Sequence, residues 1–310
     1  MATATMDAIV FEEFGGPEVL RYETGVAVPE PGPGEVRLRV AAAGVNPVDW
    51  KTRRGLMTAL HPTTFPAVAG IEVAGTVDAT GEGVTGLAVG DEVFGWAKSG
   101  GYARYALAGA VGVLPKPAGL SFEAAVGLPV AGETAARVLE QLAVREGETL
   151  FLHGAAGIVG TIAVQLAVAA GVTVVGSASA ANHDHLRGLG AIPVEYGDGL
   201  AERVRAAASG GVDAVFDAAG YGVLPLAIEL AGRERVVTIA ATDADEHGVL
   251  FSVPETDPGR VRGWLRAQAE GVLAGTLRLR HAGTLPLKEA ARAQELSESG
   301  HTRGKLVLLP

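Results

Sequence analysis

The sequence predicts an α/β protein of two domains, one β-rich and drawing on both ends of the chain, the other a doubly wound parallel sheet with helices on both faces. Three observations carry this. At 310 residues and 48% apolar content the chain outgrows a single core, which rarely extends beyond roughly 250 residues. Up to about Gly119, short β-type runs such as "EVRLRVAAAG", "AVAGIEVAGTVDATG", "GDEVFGWA" and "GGYARYALAGAVGVLPKP" are broken by Gly and Pro, the pattern of a twisted, mostly antiparallel, barrel-like domain. From Ser121 strands and helices alternate, which gives a parallel sheet covered on both faces.

In the second region, "SFEAAVGLPVAGETAARVLEQLA" reads as helical, with Ser121 as N-cap and Pro129 dividing it into two helices. Strands are expected at Thr149 to His153, Val172 to Val175, Ala191 to Val194, Val212 to Asp217 and Val236 to Ala240. Amphipathic or small-residue helices such as "GDGLAERVRAAASGG" separate them. After Phe251 a helix over Pro258 to Gly271 leads to a last strand-like run, Lys305 to Leu309. That strand needs sheet neighbours, and the first domain can supply them. The expected division is 1–120, 121–255 and 256–310, the last part rejoining the first domain.

Composition removes several classes of function. Acidic residues outnumber basic ones 35 to 25, so the chain lacks the basic surface that tracks phosphates and nucleic acid is not an expected partner. No cysteine is present, which excludes disulfides, iron–sulfur clusters and thiolate zinc sites. The start "MATATMDAIVFEEFGG" has no basic segment followed by an apolar one, and no apolar run has the length of a membrane span. A soluble cytoplasmic protein with no membrane partner is expected.

The chemistry concentrates in "FLHGAAGIVGTIAVQLAVAAGVTVVGSASAANH", Phe151 to His183. A strand feeds Gly154, Gly157 and Gly160, and a small-residue helix follows up to the next strand: a βαβ unit of nucleotide-binding type. A pyrophosphate must lie against unpaired amides at a helix N-terminus, where aligned peptide dipoles favour negative charge. A side chain at Gly157 would block that approach, and Gly160 lets helix and strand pack closely. The cofactor-binding candidates here are Gly154, Ala155, Gly157, Ile158 and Val159, with Ala240 at the end of the fifth strand. The spacing alone also suits tight helix–strand packing with no nucleotide; the ordered strands around it favour a cofactor.

The second strand of the unit ends in "VVGSASAANHDH", with no acid before Asp184. A site for NAD usually places Asp or Glu at this point, to accept from the ribose hydroxyls and repel an added phosphate. Here Ser177, Ser179 and the Asn182 amide can donate to phosphate oxygens, so NADPH is the expected cofactor. Turn and N-cap chemistry is the alternative use of these serines.

The motifs "AAAGVNPVDWKTRRG", "FPAVAGIEVAGTVDATGEGVTGLAVGDEVFG", "GGYARYALAG", "LPVAGETAARVL", "HGAAGIVG" and "GHTRGKLVLLP", in this order over nearly the whole chain, resemble the medium-chain dehydrogenase/reductase superfamily, in particular its zinc-free quinone oxidoreductase branch. The resemblance implies a GroES-like β domain at both chain ends with a Rossmann domain inserted. It adds Tyr196 as a phenol close to the 2′-phosphate and Thr134 as a contact at the nicotinamide end. It also shows a departure: the Lys common in the family at the position of Asn182 is absent, with His183 as a nearby substitute for its charge.

Family zinc sites need cysteine, and the seven histidines do not replace it. His153 falls on a Rossmann strand, His183 and His185 fall elsewhere in the nucleotide domain, and His61, His247, His281 and His301 show no ligand spacing. His61 either lines the substrate cleft or is a solvated loop residue. Without a Lewis acid, hydride transfer suits an acceptor already polarised by conjugation, a quinone or an α,β-unsaturated carbonyl compound. In the family "NPVDW" lies beside the nicotinamide, which makes Asn46 a candidate carbonyl donor or cofactor contact and Asp49 a candidate organiser of the loop. Asn-Pro turn initiation and helix capping explain the same residues without catalysis. Met57 stands where many relatives carry a possible proton-donating tyrosine, so solvent protonation is expected. An enoyl reductase acting on an acyl thioester and a non-enzymatic NADPH-binding protein remain alternatives. "VLFSV" within "DEHGVLFSVPE" lies where relatives pair sheet edges, so a homodimer is expected.

Overall fold

In the computed structural model, which describes residues 4–58, 62–300 and 302–310, the first part of the chain is strand after strand. β1 (Thr5–Phe11) pairs antiparallel with β2 (Arg21–Ala27), and β3 (Glu35–Val45) runs into helix α1 (Pro47–Arg53). After β4 (Ala67–Val68) come β5 (Glu72–Thr80), β6 (Glu92–Trp96), β7 (Tyr105–Gly109) and β8 (Val113–Pro115). Strand periodicity places Val36, Leu38 and Val40 inward while Arg39 is exposed. These side chains join Ile9, Val73, Val93, Tyr102 and Leu306 in one core.

Two short helical segments follow: α2 (Phe122–Ala125), capped by Ser121 Oγ accepting from Ala124 N, and α3 (Pro129–Leu142), which Pro129 begins. The chain divides into two units, Met1–Val130 with Pro258–Thr276 and His281–Pro310, and Ala131–Asp257 with Leu277–Arg280. The division falls after Val130 and not at 120, because α2 packs on β3 and β5.

The second unit alternates β9 (Thr149–His153), α4 (Ile158–Ala169), β10 (Thr173–Ala178), α5 (His183–Gly188), β11 (Ile192–Glu195), α6 (Leu200–Ala207) and β12 (Ala214–Asp217). It continues through α7 (Leu224–Ala231), β13 (Val236–Thr238), α8 (Ala244–His247) and β14 (Leu250–Phe251). All of these strands are parallel, in the order β11-β10-β9-β12-β13-β14. This is the expected Rossmann arrangement. Phe151, Val175, Val215, Leu224 and Val236 are buried together in its core, as a sheet covered on both faces requires. β10 extends to Ala178, past the expected Val175, and β13 stops at Thr238 because the Ala240 and Ala241 amides turn back to the Thr238 hydroxyl.

The chain then returns through α9 (Pro258–Ala274), β15 (His281–Pro286), α10 (Ala290–Glu298) and β16 (Lys305–Leu309). β16 lies between β15 and β3, antiparallel to β3 with Leu306 opposite Val45. The two chain ends therefore share one sheet, the GroES-like half of the fold. Among the described residues, no helix is long and apolar enough to cross a membrane.

Candidate functional site

The carboxyl end of β9 is the point where the parallel sheet changes direction: the chain continues to β10 on one side and later to β12 on the other. Open α/β sheets take their ligands at this point. Gly154 leaves β9 with φ of 84°, and a Cβ on it would lie 2.9 Å from the Ala219 Cβ. A Cβ on Gly160 would stand 2.6 Å from the Gly154 carbonyl oxygen, so α4 can lie this close to the loop only without a side chain there. Gly157 differs. It is exposed, it is the N-cap of α4, and a Cβ on it would meet only the Gly154 oxygen, at 3.5 Å. The space in front of it is open.

First-turn amides of a helix have no intrahelical acceptor, which leaves the Ile158 and Val159 N–H groups directed at that space. No acidic residue occupies the first turn of α4, so the positive end of the helix dipole is uncompensated. The donor set and the side-chain-free surface fit the pyrophosphate of a dinucleotide. Ala155 does not belong to the donor set. It is fully buried, and its amide donates to the Ser177 carbonyl at 3.0 Å.

Ser177 is a second correction. Its side chain is fully buried: the hydroxyl lies 2.7 Å from His153 Nδ1 and accepts from Gly154 N at 3.2 Å. It therefore fixes the glycine loop from below, with its hydroxyl engaged inside the protein. Burial holds the His153 imidazole below its ordinary pKa, against the opposing charge of Asp217. Asp217, at the end of β12, accepts from the Ala219 and Gly220 amides at 3.0 and 2.8 Å and from the Thr238 hydroxyl at 2.7 Å. Thr238 in turn accepts from Ala240 N at 3.0 Å. Ala240 thus lies at the carboxyl edge of the sheet with its amide already engaged.

At the end of β10, Ser179 and Asn182 are half-buried, and Asn182 Nδ2 donates to Ser179 Oγ at 3.0 Å. Strand register pairs Ala178 with Glu195, so Tyr196, 52% exposed, follows beside Ser179. His183 Nε2 lies 3.4 Å from the Ala178 carbonyl oxygen. The charge at this corner comes from Arg280, whose Nη1 donates to Asn182 Oδ1 at 2.9 Å. Thr134 lies on α3, with its hydroxyl donating to Glu133 at 3.3 Å and accepting from Arg137 at 3.4 Å.

In the first unit, Asn46 and Asp49 begin α1. Asp49 Oδ2 accepts from Asn46 N at 2.7 Å and from the Tyr102 hydroxyl at 2.9 Å. Asn46 is 1% exposed, and its side chain donates to Glu72 at 2.9 Å and accepts from Lys305 at 2.7 Å. Burial and these partners give Asn46 a structural part at the start of α1, in place of the open carbonyl donor that the sequence suggested. Lys305 also pairs with Glu72, and the other Glu72 oxygen accepts from Val130 N at 2.7 Å. Desolvation pushes the Asp49 carboxyl up to about 7 despite its two donors and the nearby Lys305, and its Oδ1 has no hydrogen-bond partner. Burial also raises the Tyr102 phenol well above its ordinary range, with Asp49 adding to the effect.

Arg280, Asp217, Thr238, Tyr102, Glu72 and Lys305 are not singled out by the sequence motifs. Asp217 had a local signal, an acid closing the apolar run "AVFD"; the others are fixed by contacts distant in sequence. His61 and His301 lie outside the described residues.

A β-rich unit completed by the chain's last strand, with a dinucleotide cradle in the inserted parallel sheet, defines a dehydrogenase/reductase of the medium-chain type. Residues 32–119 match the family model for the alcohol dehydrogenase GroES-like domain, and residues 189–308 that for zinc-binding dehydrogenase. Rat quinone oxidoreductase is 32% identical over 336 residues, covering 98% of each chain. The match to pig quinone oxidoreductase is 43% identical over 176 residues, 56% of this chain and about half, 53%, of that protein. Part of a pikromycin polyketide synthase component from Streptomyces venezuelae is 37% identical over 300 residues, 90% of this chain and 8% of the synthase. Among solved structures, the quinone oxidoreductase of Coxiella burnetii superposes with a TM-score of 0.88 at 31% identity, covering 99% of this chain and all of that one. A mycobacterial protein complexed with NADPH gives 0.87 at 32%, covering 98% of this chain and 100% of that one. The chain belongs to the quinone oxidoreductase family of the medium-chain dehydrogenases/reductases.

Proposed function

We propose that the protein is an NADPH-dependent oxidoreductase that delivers hydride to a quinone or another α,β-unsaturated carbonyl compound without a metal. The observation that carries this is the bare helix N-terminus at Gly157 beside an acid-free strand end at Ser179. Gly154, Gly157, Ile158 and Val159 would hold the pyrophosphate; Ser179, Asn182 and Tyr196 would border the adenosine ribose, and Thr134 the nicotinamide end. When bound, NADPH supplies the hydride. The chain's own part is to fix the cradle from below through Ser177, His153 and Asp217. A conjugated acceptor needs no Lewis acid, because charge develops on an oxygen that hydrogen-bond donors or water can stabilise. Metal independence is supported by the absence of cysteine. The mycobacterial neighbour complexed with NADPH and the rat quinone oxidoreductase support the cofactor and the substrate class.

The test is NADPH oxidation with small quinones and enones. With an enone, deuterium from C4-labelled NADPH should appear at the β-carbon and solvent hydrogen at the α-carbon; with either acceptor, activity should be unaffected by chelators. Oxidation of simple alcohols with no reduction of any quinone or enone overturns the reading. The match to a polyketide synthase segment favours a second reading, an enoyl reductase acting on an acyl thioester. Faster turnover of enoyl thioesters than of free enones would select it.

A further inference from the structure

We propose that Arg280 is the cationic residue that recognises the 2′-phosphate of NADPH in this protein. The inference rests on the cofactor reading above and names the residue that gives it specificity. Phosphate recognition at the end of β10 needs positive charge, and the local sequence Ser179 to Asn182 carries none. The fold brings it from 98 residues away: Arg280 Nη1 holds Asn182 Oδ1 at 2.9 Å, and Asn182 Nδ2 holds Ser179 Oγ at 3.0 Å. Guanidinium, amide and hydroxyl thus form one chain of contacts ending at the strand terminus where a ribose would lie. A guanidinium donates in several directions from one plane, so holding Asn182 and meeting a phosphate oxygen are compatible.

The position of Arg280 is set by the cofactor-binding element itself. Gln165 on α4 donates to the Arg278 carbonyl at 2.9 Å and accepts from Arg278 N at 2.8 Å, and Leu277 is buried beside them. This reciprocal pair fastens residues 277–280 to the helix whose N-terminus forms the cradle, and the segment clusters with the second unit although its chain neighbours do not. The nearby imidazole does not provide the charge. His185 is held below its ordinary pKa, first by burial and then by Arg280, with its Nε2 3.2 Å from Thr161 Oγ1. Asp184 does not cancel the guanidinium from the next turn, since its carboxylate pairs with Arg187 at 2.6 Å.

The experiment is a calorimetric titration of the full chain and its Arg280→Ala and Arg280→Lys variants with NADPH, NADH, 2′,5′-ADP and 5′-AMP. Charge-assisted hydrogen bonds lost with Arg280 should weaken NADPH and 2′,5′-ADP by roughly 10- to 100-fold. NADH and 5′-AMP should bind as before, and Arg280→Lys should recover part of the loss. Unchanged NADPH preference in Arg280→Ala, or an equal loss for all four ligands in both variants, overturns the inference. If the unaltered protein binds neither NADPH nor 2′,5′-ADP, the cofactor reading itself fails, and the inference with it.

Discussion

Lys305 and Glu72 form an ion pair closed off from water, their side chains 3% and 0% exposed, although 233 residues separate them in the chain. The pair ties the last strand to β5, with Asn46 and Val130 completing the Glu72 shell. Breaking a buried pair leaves an uncompensated charge, which costs more than the pair contributes. Lys305→Met should lower stability by about 3–5 kcal/mol in urea unfolding, and adding Glu72→Gln should recover much of that. Equal losses in the single and double variants would contradict the idea that the stranded carboxylate is the cost.

Asp49 gives the first unit a pH dependence whose sign is fixed. Its folded pKa is raised from 3.8 to about 7 by burial, so the native state holds a proton that the unfolded chain releases. Stability linked to this group is fully present below pH 4 and declines as pH rises towards 7, by on the order of 4 kcal/mol in total. Asp49→Asn mimics the protonated form and keeps an oxygen to accept from Asn46 N and Tyr102. Its unfolding free energy should therefore fall less between pH 5 and 8 than that of the unaltered protein; parallel curves would count against a buried, titrating Asp49.

The last strand of the parallel sheet, β14, leaves Leu250 and Phe251 exposed at 51% and 37%, and Val253 just beyond it is 50% exposed. An unpaired apolar sheet edge invites isologous pairing with a second copy. Light scattering at micromolar concentration should give a dimer, and Phe251→Lys should shift it to monomer; a monomeric unaltered protein defeats the proposal.

What the sequence made legible was local. The glycine spacing, the break at Pro129, the Ser121 cap and the need of Lys305–Leu309 for sheet neighbours each depend on residues a few positions apart, and each has its counterpart in the structure. Ser177 was not legible because strand ends are set by tertiary pairing. With the strand ending at Val175, Ser177 belongs to a loop, but β10 pairs with β9 through Ser177 and with β11 through Ala178, which buries it. Asn46 shows the same limit. "NPVD" marks a helix start, whereas Glu72 and Lys305, which take its side chain, come from 26 and 259 positions away.

Two serines two residues apart should therefore separate in their effects. Ser177→Ala leaves the Gly154 amide and His153 Nδ1 without their shared hydroxyl, a buried loss of about 1–3 kcal/mol that should weaken NADPH and NADH alike. Ser179→Asp changes charge where the ribose would lie, and a carboxylate there accepts from ribose hydroxyls while repelling phosphate. It should shift preference towards NADH without altering thermal stability. Identical effects of the two substitutions on the NADPH-to-NADH affinity ratio would refute this division of roles.

Glycines 157 and 160 offer the sharpest test of the cradle, because the same added methyl group has different consequences three residues apart. At Gly160 the methyl would stand 2.6 Å from the Gly154 oxygen and 2.7 Å from Ala155 backbone atoms, so Gly160→Ala must push α4 from the loop and should destabilise the free protein by about 1–3 kcal/mol. At Gly157 it would meet a single atom at 3.5 Å, and the backbone there, φ −70° and ψ 170°, suits alanine. Gly157→Ala should leave unfolding of the free protein unchanged to within about 0.5 kcal/mol. Its cost should appear only with ligand, as NADPH affinity reduced roughly tenfold or more by a methyl group standing where the pyrophosphate must approach. If Gly157→Ala binds NADPH as the unaltered protein does, the pyrophosphate does not lie against this turn.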